Sequence, residues 1–139
     1  MGKEIKMLEW KPEYEVGVQV IDENHRKFVE MVNHFVEMMN NRSYLHEHTE
    51  VFYSLIHYAE HYLIREEILF KDLEYPNLSQ HKEKHSRFIE KIKSFQQNHV
   101  SDDPVICEEM YAFLINWFNE HILQYDREVS GFLKEKGLP

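Results

Sequence analysis

A chain of 139 residues with 42% hydrophobic and 29% charged side chains has the size and balance of one folded domain, which argues against a second domain and against a disordered chain. Its formal net charge of −9 argues against nucleic acid and anionic membrane as partners, because both are recognised through clustered Lys and Arg. The lone cysteine, Cys107, permits neither an internal disulfide nor a thiolate zinc site, so any bound metal must rely on His and carboxylate.

The charged start, MGKEIKMLEW, lacks the apolar run of a secretory signal, and no stretch approaches a bilayer span; a cytoplasmic location is the expectation. Residues 1–21 are read as an N-terminal arm, extended between Trp10 and Val20 because Pro12 and Gly17 interrupt any helical period, with Trp10 as its anchor. A first helix is expected from about Asp22, a plausible N-cap, to Asn40 and Asn41. Its inner face is His25, Phe28, Val29, Val32, Phe35, Val36 and Met39. The second helix runs from about Glu47 to Leu73 on the stripe Val51, Leu55, Tyr58, Ala59, Tyr62, Glu66, Leu69 and Leu73, and Tyr75-Pro76 ends it.

Leu78, His81, His85, Phe88, Ile92 and Phe95 define a third helix over about 77–98, closed by a polar loop with Asp102, Asp103 and Pro104. The fourth carries Ile106, Met110, Phe113, Leu114, Trp117, His121 and Tyr125 inward, continues to about Lys136 and is stopped by Gly137. The expected fold is all-α, an antiparallel up-down-up-down four-helix bundle over 22–136 within a single domain of 1–139.

The chemistry lies on these inner faces. Each helix carries a polar, ligand-type residue in the middle of its apolar stripe: His25, Glu66, the pair His81 and His85, and His121. Four-residue spacing leaves His81 and His85 about 40° apart and one turn from each other, within reach of one ion. Glu66 sits where an unpaired ionised carboxylate costs several kcal/mol or more to bury. A single histidine on an apolar face is more often a hydrogen-bonded core residue than a ligand. Here, however, each of several such groups would need its own polar partner, and a metal satisfies them together. The all-N/O donor set suits iron, manganese or zinc, and spacing alone does not choose among them.

These residues resemble the hemerythrin family, and its single-domain bacterial members in particular. The resemblance covers nearly the whole chain, through Trp10, Val16-Gly17-Val18, Ile21-Asp22, His25, Glu66-Glu67, Tyr75-Pro76, His81, His85, Trp117, His121 and Asp126. It implies a centre of two iron ions with an oxo or hydroxo bridge. His81, His85 and His121 would bind one iron, and His25 with one residue of the second helix the other, bridged by Glu66 and Asp126. Dioxygen would bind at the second iron, and Phe118 would cover the oxygen pocket. One position departs from the family pattern. Four residues before Glu66, where the family has histidine, stands Tyr62, and His61 lies five before. Tyr62 shares a face with Glu66, whereas His61 is about 140° away on an ideal helix and would need a π-bulge to turn inward. Both stay open as ligands.

The implied function is dioxygen binding for carriage, storage or sensing, without catalysis. The alternative is a diiron oxidoreductase acting on peroxide or nitric oxide, favoured if Tyr62 spoils reversible binding. A third possibility is an interaction module that senses iron or redox state. His34, His46, His48, His57 and His99 are read as solvated, and Met31, Met38 and Met39 as packing.

Overall fold

The computed structural model describes residues 6–40, 53–97 and 104–137. The side chains of Gln96, 104–107, Tyr125 and Asp126 lie outside the described residues, as do the expectations for Glu47, Val51, His46, His48, His99, Asp102 and Asp103. Among the described residues every regular element is helical, and none of the helices is long and apolar enough to cross a membrane. Four helices form a bundle: α1 (Gln19–Asn40), α2 (53–72), α3 (Leu78–Gln97) and α4 (104–135). Two of them widen midway into π-helix, α2 at Ala59–Leu63 and α4 at Phe118–Tyr125.

Helix α1 starts three residues before Asp22, so that residue is not the N-cap. Its buried carboxylate lies in the first turn and accepts the Val16 and Gly17 amides at 2.9 and 3.2 Å. Gly17 reaches this position with φ 82, which a side chain would oppose. The preceding segment is held down elsewhere too. Leu8 exchanges two hydrogen bonds with the Asn33 side chain (2.7 and 2.9 Å), Arg127 donates to the Glu13 carbonyl at 2.8 Å, and Arg26 lies 5.4 Å over the Trp10 ring. One turn of 3₁₀-helix, Pro12–Tyr14, interrupts the extended run expected there.

Helix α2 ends in a Schellman cap without glycine. Glu74 takes φ 58, the Tyr75 amide donates to Phe70 O at 2.9 Å and the Glu74 amide to Lys71 O at 3.1 Å. The Phe70 and Tyr75 rings close the motif 5.6 Å apart. Pro104, expected in a loop, is instead the first residue of α4, where its missing N–H costs nothing.

Two apolar clusters fill the bundle. The larger includes Phe28, Val32, Leu55, Tyr58, Leu63, Phe88, Ile92, Leu114, Phe118 and Ile122, and the smaller Val16, Ile21, Phe70, Tyr75, Val129 and Leu133. Along every helix the ligand-type residues fall between the two: His25 between Ile21 and Phe28, Glu66 between Leu63 and Phe70, His81 and His85 between Tyr75 and Phe88, His121 between Phe118 and Val129. A buried polar layer therefore separates two hydrophobic ones. Each fully buried Phe or Leu stabilises by about 1.5–3 kcal/mol, and the layer offsets part of that gain unless its polar groups find partners.

Candidate metal centre

The layer brings His81, His85 and His121 together, all buried, with one ligand atom from each within 4.8 Å of the others. The Nε2 atoms of His85 and His121 are 3.2 Å apart. That is the edge expected of a coordination shell with bonds of about 2.1 Å, roughly 3.0 Å at 90° and 3.4 Å at the tetrahedral angle. Glu66, 1% exposed, faces the group with Oε1 3.8 Å from His81 Nε2 and 3.9 Å from His85 Nε2, too far for hydrogen bonds. Its other oxygen accepts a 2.8 Å hydrogen bond from Asn24 Nδ2. Oε1 itself has no hydrogen-bond partner.

Packing fixes the rings. Trp117 stacks on His121 at 4.1 Å and 11°, and Phe70 meets His81 edge-on at 4.8 Å. His85 Nδ1 points toward Glu67 Oε2, 3.7 Å away on the turn that also carries Glu66. Burial, reinforced by repulsion from His85, His81, His25 and Lys84, holds the His121 pKa well below its ordinary value, so the ring is a neutral donor. Burial by itself would raise the Glu66 pKa. The His81, His85 and His25 rings and the Asn24 amide outweigh it and keep the carboxyl ionised, below its usual range. Buried imidazoles around one carboxylate with an unsatisfied oxygen are a donor set that fits a hard or borderline divalent cation.

A family model described as the hemerythrin HHE cation binding domain matches residues 16–133. The chain belongs to the hemerythrin family. It is 35% identical over 126 residues to a bacteriohemerythrin of Clostridium acetobutylicum, covering 88% of this chain and 98% of that protein. A bacteriohemerythrin of Pseudomonas aeruginosa is 30% identical over 122 residues, with 86% and 76% covered, and one of Stenotrophomonas maltophilia is 26% identical over 130, with 92% and 82% covered. The matched span of this hemerythrin-family chain contains the whole polar layer.

The other expected site residues lie as follows. His25 is buried in the layer at 1% exposure. Phe118 is buried in the larger cluster, stacked on Phe28 (centroids 6.4 Å, 3°) and edge-on to Tyr14. The side chain of Asp126 lies outside the described residues. Helix α2 does widen at Ala59–Leu63, yet His61 is exposed and stacks on His57 rather than turning inward. Tyr62 is half-buried beside Tyr58, and Leu63 takes the inner position that the stripe assigned to Tyr62. Asn24 was not anticipated. The available signal was its place between Ile21 and Phe28 on the buried face of α1, where an amide needs a polar partner.

Proposed function

We propose that this chain holds two iron ions in the polar layer and that the pair binds dioxygen. The observation that carries the reading is Glu66, a buried ionised carboxylate with one oxygen held by Asn24 and the other unsatisfied beside buried histidines. A cation supplies what that oxygen lacks. His81, His85 and His121 would hold one iron and His25 with Tyr62 the other, His61 being the alternative to Tyr62, with Glu66 and Asp126 shared by both. An oxo or hydroxo group would complete the centre. When bound and reduced, such a pair supplies the open coordination position and the electrons that hold dioxygen.

The chain's own residues do the rest. Asn24 fixes one oxygen of Glu66 and so aims the other into the layer. The depressed pKa of His121 keeps its lone pair free of a proton. Phe28, Phe88 and Phe118 pack above the layer and keep bulk water from it, and Phe118 would cover the oxygen pocket. Tyr62 gives a second reading some weight, an oxidoreductase acting on peroxide or nitric oxide in the cytoplasm, because a phenolate favours the ferric state.

Anaerobic iron loading followed by metal analysis and visible absorption tests the proposal. Two irons per chain and stable charge-transfer bands on exposure to air are expected. Rapid bleaching with turnover of peroxide would favour the oxidoreductase, and one iron or fewer would overturn the dinuclear centre.

A further inference from the structure

On the exposed side of α2, His57, Glu60 and His61 all face solvent. The two histidines are four residues apart, and their rings lie parallel, 5.6 Å between centroids and 6° between planes. Two histidines at this separation are how a helix grips one zinc ion. None of the three belongs to the buried layer.

We propose that His57 and His61 form a surface site for one late first-row divalent cation, Zn2+, Ni2+ or Cu2+, separate from the buried centre. The donor set is two imidazoles, with water completing the shell; imidazole suits these ions, and affinity is highest for Cu2+. The parallel rings must tilt toward each other to bring their nitrogens to about 3.0–3.4 Å, the spacing set by bonds of about 2.1 Å. Both residues are exposed, so that rotation displaces solvent rather than packed core. The bound ion would span the junction between the α-helical stretch 53–58 and the wide turn Ala59–Leu63, pinning the register of the helix that carries Glu66. The inference does not rest on the buried centre holding iron.

Calorimetric titration of the untagged, iron-loaded, air-oxidised protein with NiCl2 tests it. One Ni2+ per chain should be lost, or bound at least tenfold more weakly, in His57→Ala and in His61→Ala, with the iron content and visible spectrum of the parent retained in His57→Ala. His34→Ala, which removes an exposed histidine of α1, should titrate like the parent. Ni2+ should also raise the unfolding temperature of the parent and not that of His57→Ala. A parent-like Ni2+ isotherm in His57→Ala overturns the site. Loss of iron from His61→Ala overturns it as well, by assigning that ring to the buried centre.

Discussion

Replacing Asn24 by Ala removes the hydrogen bond, 2.8 Å long, that fixes one oxygen of Glu66 inside the bundle. Hydrogen bonds to charged groups contribute about 1.5–3 kcal/mol, and the oxygen left behind belongs to a carboxylate that is 1% exposed. The metal-free variant should therefore lose about 2–3 kcal/mol. For a chain of this length that corresponds to a fall in Tm of roughly 6–15 °C. Protonation of Glu66 sets an upper bound on the loss, because a neutral carboxyl tolerates burial better, so the deficit should shrink in acid. Iron affinity should fall about 10–100-fold, the usual effect of removing the group that orients a ligand. Asn24→Asp keeps the shape but sets a second carboxylate against Glu66, and should cost more than Asn24→Ala at neutral pH. Urea unfolding of the metal-free proteins and competitive iron titration read both quantities. An Asn24→Ala protein within about 0.5 kcal/mol of the parent, with unchanged iron affinity, would refute the role given to this amide.

In the metal-free protein the unfolded chain takes up the His121 proton near its ordinary pKa of about 6.5, and the folded chain refuses it, so stability should fall as pH drops below that value, by up to about 1.4 kcal/mol per unit. Glu66, held below its usual range, adds a loss of the same sign at lower pH; urea midpoints that stay flat from about pH 7.5 to 5 would contradict the first, and no further fall below the ordinary carboxylate value of 4.5 the second. Glu74→Gly should stabilise the protein by about 1 kcal/mol, since it relieves the left-handed backbone at φ 58, and an unchanged midpoint would argue against strain there. Tyr62→Phe should remove a visible tyrosinate-to-iron band from the ferric protein if the phenol enters the second iron's shell. An identical ferric spectrum would count against that ligation.

Helices α1 and α3 were legible because their buried residues keep one period. Ile21, His25, Phe28, Val32 and Phe35 step by threes and fours, as do His81, His85, Phe88, Ile92 and Phe95. The details of α2 were not legible, because a wide turn in its middle breaks that period. On an unbroken α-helix, residues eight apart are about 80° out of register. Tyr58 and Glu66, both 1% exposed, flank the i→i+5 turn at Ala59–Leu63, whose extra residue closes most of that angle. The same insertion moves Leu63 inward and leaves Tyr62 half-buried, a shift that counting at 3.6 residues per turn cannot register.

In α4 the clue was present, since His121 and Asp126 are five apart and the wide stretch Phe118–Tyr125 makes five residues close to one turn. The two interruptions fall at equivalent depth, one ending three residues before Glu66 and the other containing His121. Wide turns have poorer hydrogen-bond geometry than α-helix, and they persist where a side chain must be aimed in a direction the regular period does not offer. Their coincidence with the polar layer ties the backbone irregularities of α2 and α4 to the positioning of Glu66 and His121.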